Sequence, residues 1–479
     1  MKIRIPKLAK DSFYVTAAQG VTYLTGGLWG IFLARWLGTD FFGMYLYYAG
    51  IFGIASALGE FGTIGFLMRE LNTNEKPKDV FTFYLNKQFY VIAFLALGSF
   101  LFIRLTEKDV AYRMLGISAF LFLYFDSLTN VAGTWFFSKQ RAPFISNMAI
   151  LKSSGTLLAG FLIYKSAAPL YYLLFAPALF SLVRLIFIMY TICKAYEFSF
   201  IAFLTQRFHF NDIKVILSKT WVFGMFTIMS VLQAQTNPII LKLLDFNPHV
   251  LGIVGAANRI RNIINMSGGA ILQVVFPKLS KDYSGSPELF SRNFITIFKP
   301  LFVLNLLICA LVICFSKDII LVLLGDEYAD SIPYMMLFAV GCITPVLMLL
   351  SSAVIAAGKE KKTLVFSSIY NVSVPVLKLI LIPVTGSIFI GWIGAFGPWT
   401  NLIIFFALLY NVLVPKLKFD FYIKIILLIA IGILVPVFLI YIDINRFVVS
   451  TIVFFSILIT GYYLSFLNLK EIFVRGNTK

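Results

Sequence analysis

Apolar runs of about 20 residues, divided by short polar breaks, recur from one end of this chain to the other. About 20 apolar residues is what a helix needs to cross the hydrocarbon of a bilayer. About fourteen such segments are predicted, near 12–34, 41–62, 84–104, 111–136, 144–165, 168–193, 216–240, 249–276, 297–316, 332–357, 363–385, 388–411, 421–442 and 446–467. A membrane β-barrel would instead show ~10-residue alternating segments. The expected class is therefore all-α integral membrane. Composition agrees, because 60% of the 479 residues are hydrophobic and 13% are charged, about half the charged share of a soluble domain.

Orientation follows from Lys and Arg, which short loops keep on the cytoplasmic side. With the N-terminus inside, 27 of the 40 basic residues fall in or beside inner segments and 8 in or beside outer ones. Both termini are thus expected in the cytoplasm. The net charge of +18 reads as topology and attraction to anionic lipid. Nucleic-acid binding would need a basic folded domain, and no soluble segment is long enough for one. The four cysteines, Cys193, Cys309, Cys314 and Cys342, lie in or at the ends of spans, so no disulfide framework is expected. "MKIRIPKLAK" and the apolar stretch after it resemble the start of a signal peptide, but the stretch is long enough to stay as the first helix.

A weak internal repeat divides the chain. "IFLARWLGTDFFGMYLYYA" aligns with "ILKLLDFNPHVLGIVGAA" when Gly43 is set on Gly252, and "FLMREL" then falls on "VFPKLS" at the same 209-residue offset. "FFSKQRAPFIS" and "AAGKEKKTLVF" pair two basic turns at an offset of 220. Such repeats mark pseudo-symmetric lobes in transporters. The expected organisation is an N-terminal lobe at 1–193, a cytoplasmic linker at 194–215, a C-terminal lobe at 216–411, and two further helices with a tail at 412–479. Each lobe holds six helices.

Charge inside the hydrocarbon is costly and marks function by default. Lys152, Arg184, Arg259, Arg261 and Lys378 fall within predicted spans, against the acids Glu60 and Asp126. On a helical projection of the eighth span, Asn258, Arg259, Arg261, Asn262, Asn265 and Gln273 share an arc of about 160°, and isoleucines take the opposite side. Ser12, Thr16, Gln19 and Tyr23 form a weaker stripe in the first span. Ser230, Gln233 and Asn237 do so in the seventh, ahead of Pro238, where a kink is expected. The first, seventh and eighth spans are thus expected to line one cavity.

Two readings of the arginines stand side by side: an anion site, or a structural ion network with Glu60 or Asp126. Five cations against two acids favour the first. Lys152 is read equally as a substrate group or as the partner of Asp126. Arg184 and Lys378 are read as snorkelling outward. Glu60 and Asp126 are candidate carriers of a coupling proton or sodium ion. His209 and His249 are assigned no role, and Asp318, Asp326, Glu327 and Asp330 read as a solvated outer loop. No Walker A pattern, H-E-x-x-H or paired-cysteine metal site occurs, so no ATP drive, metal or cofactor is expected, and no enzyme activity. Short outer loops disfavour a polymerase with an external catalytic domain.

Several stretches together resemble one family. "LARWLGTDFFGMY", "GEFGTIGFLMREL", "ANRIRNIINMSGGAILQVVFPKLSK", "LLGDEYADSIPYMMLFA" and "AAGKEKKTLVF" are similar, in that order, to segments of the bacterial polysaccharide-transporter (O-antigen flippase) family. That family lies within the multidrug/oligosaccharidyl-lipid/polysaccharide exporter superfamily. The resemblance implies a V-shaped pair of six-helix lobes in the bacterial cytoplasmic membrane and alternating access. It also implies transfer of an undecaprenyl-pyrophosphate-linked oligosaccharide to the outer leaflet, with Arg259 and Arg261 in a cationic cavity. Glycan polymerase machinery is a further expected partner. The two extra C-terminal spans also suit lipid II-type flippases. Rival readings are a cation-coupled drug exporter, a membrane glycan polymerase and an assembly scaffold.

Overall fold

The computed structural model describes residues 7–73, 75–139, 141–166, 170–196, 210–265, 275, 278–410, 412–414, 419–442, 444–464 and 466. Among them there are helices and turns but no strand. A backbone inside hydrocarbon must satisfy its hydrogen bonds within its own segment, and a helix does so. Ten helices are long and apolar enough to span a membrane, and a bent pair makes an eleventh.

The first two expected spans form one helical run, α1 (Lys7–Glu60), broken at Gly38, whose φ of 73° lies in the left-handed region. As a straight rod of 54 residues it would reach about 80 Å, far beyond the ~30 Å of hydrocarbon. It folds back instead. Four more helices follow: α2 (Thr63–Thr73), α3 (Pro77–Thr106), α4 (Val110–Ser138) and α5 (Ala142–Lys165). The first arm of α1 runs beside α5, where Trp36 stacks on Tyr164 with ring centroids 4.7 Å apart. The second arm runs beside α4, where Phe41 meets Tyr112 at 5.5 Å and Phe52 meets Phe120 at 5.8 Å.

The next helices are α6 (Phe175–Tyr196), α7 (Phe210–Leu243) and α8 (Pro248–Asn265). Small residues let backbones approach closely where apolar burial gives no drive between helices, and α1 uses them along its second arm. A Cβ on Gly43 would lie 2.0 Å from the Pro248 carbonyl oxygen and 2.7 Å from the Gly252 nitrogen. Conversely, a Cβ on Gly252 would lie 2.0 Å from the Thr39 carbonyl oxygen. The 209-residue offset maps Thr39 onto Pro248 and Gly43 onto Gly252, so the contact is reciprocal, as a two-fold relation demands. His249, given no role from sequence, shares a 2.8 Å hydrogen bond between its Nδ1 and Thr39 Oγ1 beside this crossing.

Further down the same arm, the break at Phe61 and Gly62, with φ of 36° and 72°, packs on Phe223 and Gly224 of α7. There α7 bends by 57° between Met225 and Thr227. Pro238, where a kink was expected, lies inside the straight arm beyond. The bend sits where Gly224 lets the chain pass the Phe61 ring.

The chain continues as α9 (Pro287–Cys314), α10 (Ser316–Leu323), α11 (Ile332–Val340), α12 (Thr344–Ala356), α13 (Glu360–Thr385) and α14 (Ile388–Tyr410). It ends as α15 (Phe419–Ile429), a π turn, α16 (Val435–Tyr441) and α17 (Arg446–Tyr463). The tenth expected span is two helices, α11 and α12. The break at Gly341 brings this segment so near α14 that a Cβ there would meet the Gly394 carbonyl oxygen at 1.9 Å. α2 was read as a loop, because Arg69 and Glu70 interrupt it; its Phe66, Leu67 and Leu71 are buried, so it is an amphipathic helix. On the basic turn before α13, Lys359 Nζ donates to the Leu408 carbonyl at 2.9 Å and caps the end of α14. Burial and the nearby Lys362 lower its pKa.

Two compact units result, Met1–Gly255 with Asn371–Leu379, and Ala256–Tyr370 with Ile380–Lys479. α7, expected to open the second lobe, groups with the first unit because it packs along the glycines of α1. Most of the expected linker, 197–209, and the tail from 467 onward lie outside the described residues.

Gly252→Val is expected to destabilise the fold by about 3 kcal/mol or more through overpacking, seen as loss of a monodisperse peak in detergent. Gly98→Ala, with nothing within 4 Å of the added Cβ, should leave that peak unchanged.

Candidate functional site

Among the described residues, the sequence-expected site groups fall into three polar groupings, and these differ in how charge is balanced. The first joins α4, α5 and α6. Asp126 accepts hydrogen bonds from Lys152 and, at 3.3 Å, from Arg184 Nη1. The Lys152 ammonium also lies 4.8 Å from the centre of the Phe122 ring. Glu60, at the end of α1, sits beside Ser127 and near Asp126. Two cations thus share the Asp126 carboxylate, and the Glu60 carboxyl lies beside it. Arg184 does not snorkel: it is buried, because a carboxylate within reach replaces water.

The second grouping joins α7 and α13. Lys378 is buried, and its ammonium donates to Asn237 Oδ1 at 2.7 Å. Here too the expected snorkelling gives way to an internal partner, an amide supplied by the polar stripe of α7. Within that stripe Ser230 and Gln233 are open, and it is Gln235 that lies against Gly53 of α1. In the first span, Gln19 is half-buried and Tyr23 is exposed, while the side chains of Ser12 and Thr16 lie outside the described residues.

The third centres on Arg261 of α8. Its guanidinium carbon lies 5.3 Å from the centre of the Phe338 ring of α11, a cation–π geometry. Cys342 and Tyr370 are its electrostatic neighbours, and a Cβ on Gly394 of α14 would come within 3.7 Å of Nη1. Among the described residues no carboxylate lies within ion-pairing distance, and Arg261 Nε and Asn265 Oδ1 are buried without a hydrogen-bond partner. Unmatched buried polar groups of this kind are costly.

The polar arc of α8 is the more open side of the helix: Arg259 and Asn262 are exposed, Asn258 is half-buried, and Ile260 opposite is buried. The two guanidiniums nevertheless occupy different surroundings, one open and one under an aromatic ring. Gln273 lies outside the described residues. Sequence reasoning missed the ring of Phe338 and the Tyr370 hydroxyl, because helical periodicity reports a face and not what faces it. It also missed Lys87, which is buried in α3 and paired at 2.8 Å with Asp212 of α7. Its place near a span end made it read as a loop residue.

Residues 8–282 match the family described as polysaccharide biosynthesis protein. The chain belongs to that family. No curated protein matches the sequence. Among solved structures, the fold is similar to an inward-facing multidrug resistance MATE family transporter of the MOP superfamily. That match has a TM-score of 0.58 at 17% identity, over 81% of this chain and 95% of that one. A Vibrio cholerae MATE transporter gives 0.56 at 15% identity, over 84% and 97%. An outward-facing MATE family transporter gives 0.53 at 15%, over 83% and 96%. This member of the polysaccharide biosynthesis family is thus a multi-pass helical membrane protein with the MATE fold.

Asp126→Asn is expected to cost about 3–5 kcal/mol, because it leaves two cations without their carboxylate. Adding Lys152→Met should recover part of the loss, a coupling of about 0.5–3 kcal/mol measurable as melting temperatures of the single and double variants.

Proposed function

We propose that this protein is a flippase for an undecaprenyl-pyrophosphate-linked oligosaccharide, an O-antigen or capsule-type repeat unit. It moves this cargo from the inner to the outer leaflet of the bacterial cytoplasmic membrane by alternating access, with both termini in the cytoplasm and no covalent bond made or broken. The observation that carries this reading is Arg261, a guanidinium on α8 with no carboxylate partner among the described residues. The match to the polysaccharide biosynthesis family supports a glycan cargo.

The physical task is to carry charge and hydroxyls past hydrocarbon, where each would lose its water at a cost of several kcal/mol. A guanidinium offers planar paired donors to phosphate oxygens, and Arg261 has an unused Nε. In this proposal Arg261 holds the diphosphate and Arg259, open on the same helix, meets it on entry. The amides of Asn258, Asn262, Asn265 and Gln273, of the same expected span, take sugar hydroxyls. Asn237 serves as the support of Lys378, and Lys152 is the counter-ion of Asp126. Glycan polymerase machinery would receive the cargo.

If an ion gradient drives the cycle, Glu60 is the carrier we assign. Asp126 is already engaged by two cations, while Glu60 lies beside Ser127 and Asp126. Export of a cationic drug is the second reading, favoured by the multidrug transporters that share the fold. It needs an unpaired carboxylate, and Glu60 is the residue we assign to supply it.

In a strain lacking its own flippase, Arg261→Gln with Arg259→Gln should abolish surface polysaccharide while the protein still inserts. An impermeant sugar-modifying reagent should then find the lipid-linked unit on the inner leaflet. Unchanged surface polysaccharide refutes the proposal; single units stranded outside would point to a polymerase. Glu60→Gln should leave the fold intact and remove the dependence of transport on the proton or sodium gradient, and a variant with full gradient dependence excludes Glu60.

A further inference from the structure

On the opposite face of α4 and α6 from the ion cluster, the first unit carries a groove of about 430 Å³ between α3, α4 and α6. Its floor is Leu85, Leu128 and Leu185, all buried, and its open wall is Ile186 and Tyr190. Every lining side chain is apolar apart from the Tyr190 hydroxyl and the Cys193 thiol. Such a groove in a membrane-spanning region excludes water and suits a hydrocarbon chain.

The position within the bilayer follows from the connections. α3 and α4 are joined by a three-residue turn, and α4 and α5 by another, so the start of α3 and the ends of α4 and α6 lie on one side. That side carries Lys76, Lys78, Lys139, Arg141 and Lys194 against Glu75 and Asp79, all of them exposed. Basic excess marks the cytoplasmic side, where anionic lipids are enriched and attract nearby lysines. Lys194 directly follows Cys193 of the groove, and Tyr190 puts a phenol near the same level, as interfacial tyrosines do.

We propose that this groove holds one acyl chain of an inner-leaflet anionic phospholipid, with Lys194 meeting the headgroup phosphate. The site shares no residue with the surroundings of Arg261 and does not depend on what the protein exports. A bound chain fills the space between α3 and α6, ties the two helices through Ile186 and Tyr190, and fixes the height of the first unit in the inner leaflet.

Native mass spectrometry of the full chain in detergent, titrated with phosphatidylglycerol or phosphatidylcholine, tests this. The wild type should retain phosphatidylglycerol preferentially. Ile186→Trp, at an exposed position that tolerates bulk, should lower retention of phosphatidylglycerol at least about five-fold. Lys194→Gln should bring the two lipids to near parity. As a second measurement, a fluorophore on Cys193, the one cysteine that is not buried, should be quenched by bromine-labelled phosphatidylglycerol more than by the phosphatidylcholine analogue. The proposal is overturned if Ile186→Trp retains lipid like the wild type, if the wild type shows no headgroup preference, or if undecaprenyl phosphate outcompetes phosphatidylglycerol at equal concentration.

Discussion

The crossing of α1 over α8, where Gly43 and Gly252 each lie against the other helix's backbone, is the constraint on which the first unit depends. With hydrocarbon outside and hydrocarbon side chains inside, burial alone does little to choose helix partners. Shape chooses them. A missing Cβ at Gly43, Gly50, Gly62 and Gly224 lets α1 lie along α7 and α8 at backbone distance. The break at Gly38 sets the arm on which those glycines stand. The remaining helices of the unit pack around this seam, α5 against one arm of α1 and α4 against the other.

Once helices are placed, their polar groups must be satisfied by whatever they meet. In the first unit they meet each other. Asp126 draws in Lys152 and Arg184, Lys87 finds Asp212, and Lys378 finds Asn237. Arg261, in the second unit, is treated differently: among the described residues it has no carboxylate partner and rests on the face of Phe338. A ring face stabilises a cation without occupying its donors. That leaves the charge in place and the hydrogen bonds available, which is the state a transient anion site requires.

Much of this was legible in the sequence. The helical class follows from apolar run length, and the repeat offset that sets Gly43 on Gly252 turned out to name two residues in mutual contact. The polar arc of α8 was legible too, because 3.6-residue periodicity is a local property. The Asp126 and Lys152 pair could be suggested but not decided, since the two lie on separate helices and either had other candidates. The broken tenth span escaped notice, because Gly341 reads as an ordinary apolar-segment glycine until Gly394 is seen against it. The bend of α7 was sought at its proline and lies instead at Gly224, where a neighbouring helix needed room.

The chain by itself determined that it is a bundle of membrane helices, which residues on each helix are polar, and how many charges the hydrocarbon must accommodate. These depend on composition and on spacing within one helix, and a helix in lipid closes its own backbone hydrogen bonds. Only the tertiary structure decided which charges cancel and which stay available. The partner of Arg184 is 58 residues away and that of Lys378 is 141 away. Whether a cation meets a carboxylate, an amide or a ring is settled by how the helices pack.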